Sequence, residues 1–275
     1  MICIAGKNSI ALNACRWLLD TGQIEKSEVV ACVNRTDRGV DGFQPSYKAF
    51  CQAKGVEIVA LEALYPVEDL IFFSLEYDRI IPVKKFASKQ LFNIHFSLLP
   101  KYRGMYTSAW PILNNEKVSG VSLHEIDEGI DTGNIIAQKA FKLTEAMTAR
   151  DLYFTYLEYG FSLFKANFQK LTSGDYKSDK QSEVDASYYA KDSIDYQNLR
   201  LNFNCKSYEL LSQIRAFTFK EFQLPTIEGE DIESAKALNQ RSCLAPGEIA
   251  SRDGNRIIVA TQDLDVELCL GAQPR

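Results

Sequence analysis

The chain has 275 residues, a formal net charge of −5, and 46% hydrophobic against 24% charged residues, the balance of a globular protein able to bury a core. An acidic total of this kind argues against a broad surface for nucleic-acid phosphates, and no uncharged apolar run reaches the roughly 18 residues that span a bilayer. The seven cysteines are odd in number and scattered without a CxxC pair, which points to reduced thiols in a cytoplasmic protein and not to a disulfide framework or a structural zinc site.

The opening MICIAG is a short apolar strand closed by Gly6, with no basic region leading a long apolar core, so no secretion signal is expected. SIALNACRWLLDTG then spaces Leu12, Cys15, Leu18 and Leu19 as a helix that stops at Gly22. EVVACVN, VEIVAL and DLIFFSLEY read as further strands, with PSYKAFCQAKG as a helix between the first two. Strands alternating with helices predict a Rossmann-like, mostly parallel sheet with helices on both faces. The turn AGKNS lacks the glycines of a dinucleotide fingerprint, so Gly6 is read as a tight turn beneath a crevice at the carboxyl ends of the strands.

QLFNIHFSLLP is a fifth strand ending near Pro100, and KVSGVSLHEIDEGIDTGNIIAQKAFKL reads as two strands around the loop DEGIDTG. A long helix is predicted from about Thr148 to Leu171, then a polar, turn-rich stretch TSGDYKSDKQSEVDAS that marks a boundary near residue 180. Two domains follow, a catalytic domain over 1–180 and a small β-rich module over 181–275. The module holds the helix KSYELLSQIRAF and the run PGEIASRDGNRIIVATQDLDVELCLG, which reads as two or three strands joined by DGN.

Both histidines of the chain lie in one thirty-residue window. Residues i and i+2 of a strand share a face, so Asn93 and His95 project together from the end of the fifth strand. The DEGIDTG loop offers Asp127, Glu128 and Asp131, one of which can orient the imidazole. An amide, an imidazole and a carboxylate suit acyl transfer to an amine: Asn93 and the imidazolium form of His95 can stabilise the oxyanion, and His95 can accept the amine's proton. His124, alternating within its strand, reads as structural.

NIHFSLLPKYRG followed by GVSLHEIDEGIDTGNII resembles the folate-dependent formyltransferase superfamily, over about fifty residues. The resemblance implies Asn93, His95 and Asp131 as the catalytic triad and N10-formyltetrahydrofolate as formyl donor. SLEYDRIIP stands where that family has its pterin-binding loop, which implies Tyr77, Ile80 and Ile81, with Asp127, as folate contacts. IRAFTFKEFQLP is similar to the start of the C-terminal module in the dTDP-amino-dideoxysugar N-formyltransferases. The implied acceptor is a small nucleotide sugar, dTDP-4-amino-4,6-dideoxyglucose first, for surface polysaccharide (O-antigen) synthesis. A dTDP-3-amino-3,6-dideoxysugar and methionyl-tRNA are the alternatives, and a homodimer is the implied assembly. Lys101, Arg103 and Arg215 are candidates for the diphosphate and Phe219 and Phe222 for the base. The phenylalanines read equally as the core of the small module. No metal, nucleic acid or membrane partner is expected.

Overall fold

The computed structural model describes residues 1–271. In chain order the first elements are β1 (Ile2–Gly6), α1 (Asn8–Thr21), β2 (Val29–Val33), α2 (Tyr47–Lys54), β3 (Glu57–Ile58), β4 (Ile71–Leu75) and β5 (Gln90–His95). They are followed by β6 (Arg103–Gly104), α3 (Trp110–Leu113), β7 (Val118–Glu125), β8 (Ile135–Lys142), α4 (Ala149–Ser173) and β9 (Tyr188–Tyr189). The last are α5 (Ser207–Phe217), β10 (Thr226–Ile227), β11 (Glu230–Ala237), β12 (Ile249–Asp253), β13 (Arg256–Val259) and β14 (Val266–Leu270). The chain divides into two compact units, one of residues 1–105, 119–141 and 154–189, the other of 106–118, 142–153 and 190 onward.

The first unit carries a seven-stranded sheet in the order β3-β2-β1-β4-β5-β7-β8. Its left side, β3 through β5, is parallel, and β5 pairs antiparallel with β7. The central strands are apolar along their length except at Ser74 of β4, because both faces are covered. Alternation within β4 shows the two faces: Phe72 packs with Phe86 and Tyr77, whereas Phe73 meets Phe164 and Phe168 of α4 at ring distances of 5.0 and 6.0 Å. Phe164 and Phe168, one helical turn apart, also clamp Trp17 of α1.

Local chemistry sets the helix ends. Ser46 caps α2 by accepting from the Ala49 N–H at 3.0 Å, and Gly22 and Gly55 end α1 and α2 in left-handed backbone, at φ 60° and 62°. The strand order reverses between β1 and β4, so their carboxyl ends, at Gly6 and Leu75, flank a topological switch point. A β-carbon on Gly6 would overlap the Leu75 carbonyl, so only glycine lets β1 leave the sheet there.

The second unit holds a five-stranded sheet, β10-β11-β14-β13-β12, whose pairings are antiparallel. Val266, Leu268 and Leu270 of β14 alternate inward, joining Ile257, Val259 and, from α5, Ile214 in one core. The mixed α/β fold with a β-rich module matches the expectation from sequence, and the short elements β6, α3, β9 and β10 are additions to it. The third strand shrinks to an edge pair, Glu57–Ile58, because both residues are exposed. Between β4 and β5 only the short turn Val83–Lys85 is helical. The strand β11, EDIESAKA, was not anticipated: Ile232 is its one fully buried side chain, and its ladder with β14 makes it a strand.

Gly6→Ala is expected to destabilise the protein by about 1–3 kcal/mol through overpacking against Leu75. Urea denaturation monitored by circular dichroism measures this, and an unchanged midpoint would contradict the close approach.

Candidate active site

Strand β5 delivers Asn93 and His95 to one face, and β7 lies antiparallel beside it with Asn93 opposite His124 and His95 opposite Ser122. The loop after β7 brings back Asp131, whose backbone takes the left-handed value φ 55°. The Asp131 carboxylate is the hub. Its Oδ1 accepts from Asn93 Nδ2 at 3.3 Å and lies 3.5 Å from His124 Nε2. Its Oδ2 accepts from the Gly104 N–H at 2.9 Å and lies 3.4 Å from His95 Nδ1.

Donor and acceptor rules fix the rest. A carboxylate only accepts, so the Asn93 amide must turn Nδ2 toward Asp131. Its second N–H then faces His124 Nε2 at 3.0 Å, which must accept, and His124 Nδ1 donates to the Glu125 carbonyl at 2.6 Å. Both N–H bonds of Asn93 are thereby engaged, leaving Oδ1 available as an acceptor. His95 has its Nε2 2.7 Å from the Tyr102 carbonyl, so the imidazolium form donates at both nitrogens.

Burial by itself would raise the Asp131 carboxyl; the charge of the His95 ring and the Gly104 N–H overcome it and hold the group well below the usual carboxylate range. The carboxylate is thus ionised in a nearly closed site, its side chain 14% exposed. Such a constellation can orient an imidazole and take up or give a proton at one edge of the ring.

Of the expected triad, the structure brings Asn93, His95 and Asp131 together, and it adds His124, read from sequence as structural. The signal was present in the strand pattern, since His124 falls on the register position facing Asn93. Tyr102 and Gly104 join through their backbones, which side-chain chemistry does not reveal.

Several expected contacts take other roles. Arg103 is buried and donates Nε and Nη2 to Gln181 Oε1 at 3.0 and 2.9 Å, with Glu183 at 3.5 Å, so it is turned into the protein and is not presented to a diphosphate. Lys101 is exposed. Asp127, exposed, accepts from the Gly129 N–H and the Thr132 hydroxyl through Oδ1 and so braces its own loop. Ile81 is core, and Tyr77 packs half-buried on Phe72, its hydroxyl pushed up to about 12 by burial. Ile80 alone of that loop's three candidates stands out into solvent, at 79% exposure. Asn34, missed in the sequence, ties the loop down by donating to the Glu76 carbonyl and accepting from the Asp78 N–H.

In the second unit Arg215 is half-buried, donates to the Leu211 carbonyl and the Ser212 hydroxyl, and lines a cavity of about 740 Å³ with Tyr208, Leu211 and Ile214. Phe219 is buried against Tyr153 and Phe222, so it is core; Phe222 is 65% exposed.

A profile described as Formyl transferase matches residues 57–165, and one described as Formyl transferase, C-terminal domain, matches 193–274. A solved N-formyltransferase of Helicobacter canadensis, in complex with folinic acid and dTDP-3-aminofucose, is 41% identical at a TM-score of 0.91, covering 98% of this chain and 99% of that one. The chain belongs to the formyltransferase family. Within that family, the sugar 3N-formyltransferase WlaRD, solved in the presence of dTDP and 5-N-formyl-THF, is 42% identical at a TM-score of 0.91 over 99% of this chain and 98% of its own. The methionyl-tRNA formyltransferase of Coxiella burnetii is 29% identical over 74% of this chain, and the match spans 65% of that relative's length.

Because folding lowers the Asp131 carboxyl, the stability its ionisation adds to this formyltransferase is complete above about pH 4, the unfolded value, and is lost as pH falls below it. Urea denaturation of the parent and of Asp131→Asn is therefore expected to give a stability gap that is constant down to that pH and then closes. A gap that widens on acidification would contradict the assignment.

Proposed function

We infer that the chain is a sugar N-formyltransferase that moves the formyl group of N10-formyltetrahydrofolate to the amine of a dTDP-linked amino-dideoxysugar. The observation that carries this reading is the convergence of Asn93, His95 and Asp131 at the end of β5, in a chain matched end to end by two sugar N-formyltransferase structures. One of those structures holds dTDP-3-aminofucose and the other is of a sugar 3N-formyltransferase, which favours the 3-amino alternative over the 4-amino-4,6-dideoxyglucose ranked first from sequence. A net charge of −5 and a lower identity, 29%, weigh against methionyl-tRNA as acceptor. The product suits a step of surface-polysaccharide (O-antigen) synthesis, carried out by a cytoplasmic homodimer.

In this reading the folate sits on the segment after β4, at the topological switch point, where exposed Ile80 offers an apolar wall and Asn34 fixes the backbone. When bound, the folate supplies the formyl carbon as an activated amide. Asp131 anchors His95 Nδ1, so the ring presents Nε2 to the reacting atoms. In the substrate-free geometry that nitrogen donates to the Tyr102 carbonyl; exchanging the carbonyl for the acceptor's amine lets a neutral ring take the amine's proton. Asn93 Oδ1 can accept from the same amine and align its lone pair. The protonated His95 donates toward the charge on the formyl oxygen as the amine nitrogen bonds to the formyl carbon, a task Asn93 shares by releasing its longer contact to Asp131, and the proton then passes to the folate nitrogen as that nitrogen's bond to the formyl carbon breaks.

Purified protein incubated with N10-formyltetrahydrofolate and dTDP-3-aminofucose is expected to release tetrahydrofolate, followed by absorbance, and to yield a sugar heavier by one formyl group, while dTDP-4-amino-4,6-dideoxyglucose is left unchanged. Turnover confined to methionyl-tRNA would sink the reading. Asn93→Ala, His95→Ala and Asp131→Ala are each expected to lower kcat by about 100-fold or more without loss of fold.

A further inference from the structure

The polar stretch that reads in sequence as a domain boundary is threaded through the catalytic loops of the first unit. Asp179 exchanges two backbone hydrogen bonds with Ile135, both 2.8 Å, and Ser178 donates to the Glu125 carboxylate. Further on, the Ser187 hydroxyl accepts from the Tyr102 N–H at 2.8 Å, its carbonyl accepts from the Arg103 N–H, and β9 pairs parallel with β6. Gly104, at φ 91°, could carry no side chain beside the Tyr189 carbonyl.

Gln181 lies at the centre of this segment, 5% exposed. Its Nε2 donates to the carbonyls of Asp131 and Gly133, each at 2.8 Å, and its Oε1 accepts two N–H bonds from Arg103. The amide orientation is forced, because guanidinium only donates and backbone carbonyls only accept. One side chain therefore ties together the loop that carries Asp131 and the strand whose Gly104 N–H binds the Asp131 carboxylate. Left-handed backbone at a non-glycine residue costs free energy and persists where its surroundings over-determine it. The carbonyl of Asp131 itself and that of Gly133, two residues on, are the groups Gln181 holds.

We propose that Gln181 is a positioning residue for the transfer reaction, which with Arg103 clamps the Asp131 turn so that the carboxylate meets His95, His124 and Gly104. The proposal rests on the reading of Asp131 as catalytic. Gln181→Glu keeps an oxygen for Arg103 but sets a carboxylate against two carbonyls, so the clamp on Asp131 opens while the link to Arg103 stays.

The test uses the full chain and two readouts. The protein has two histidines, both beside Asp131, so its imidazole NMR spectrum reports the carboxylate's position without any substrate. In Gln181→Glu both imidazole signals are expected to move toward their positions in Asp131→Asn, and kcat per folded enzyme is expected to fall at least about tenfold with KM for folate and sugar unchanged. Arg103→Met is expected to act through the same clamp, so the double variant loses little more than either single one. Should Gln181→Glu fail to fold, Gln181→Met serves in its place, with the same expected shifts. Imidazole signals that coincide with the parent's, or a kcat that follows only the folded fraction, would overturn the clamp. Full turnover in Asp131→Ala would instead overturn the catalytic reading, and the proposal with it.

Discussion

An ionised carboxylate in a nearly closed site is costly unless donors surround it, and the arrangement of the first unit follows from meeting that cost at Asp131. Three donors converge there, the Asn93 amide, the His95 ring and the Gly104 N–H, while His124 Nε2 holds the Asn93 amide in place by accepting its second N–H. Two of these donors lie on β5 and one on the short strand β6 held by β9, while His124 lies on the antiparallel neighbour β7. Removing any of these supports would leave the remaining ones around a charge with too few partners.

The change from parallel to antiparallel pairing at β5 is what makes this possible. A parallel neighbour would have continued the run of buried apolar strands, whereas β7 reverses direction and sets His124 directly across from Asn93. The tautomer of His124 and the orientation of the Asn93 amide then fix one another, with the Glu125 carbonyl at one end of the chain of hydrogen bonds and Asp131 at the other. On the far side of the sheet's centre, Gly6 and Leu75 keep β1 and β4 in close contact at the switch point, where the loop tied by Asn34 begins.

The functional residues divide by how their chemistry is carried. Asn93, His95 and Asp131 were legible because their spacing follows a strand period and a glycine-bearing loop. Arg103, Ile81 and Phe219 have the residue types of ligand contacts, but each is satisfied internally: Arg103 by Gln181, Ile81 and Phe219 by apolar neighbours. A charge or a ring in a sequence does not say whether a partner already waits for it in the fold. Gln181 is the converse case, a polar residue in a stretch that reads as linker and proves to be buried.

The sequence by itself determined the alternation of buried strands and helices in the first unit, the helix ends at Gly22 and Gly55, the hairpin at DGN, and the pairing of Asn93 with His95 on one strand face. These are consequences of local periodicity and backbone preference, which act over a few residues. Only the tertiary structure decided that His124 faces Asn93, that β11 is a strand, that the Tyr102 carbonyl and Gly104 N–H enter the site, and that residues 178–189 brace it. Those facts depend on pairings between segments tens of residues apart, and such pairings are set by the packing of the whole unit and not by the preferences of any one stretch.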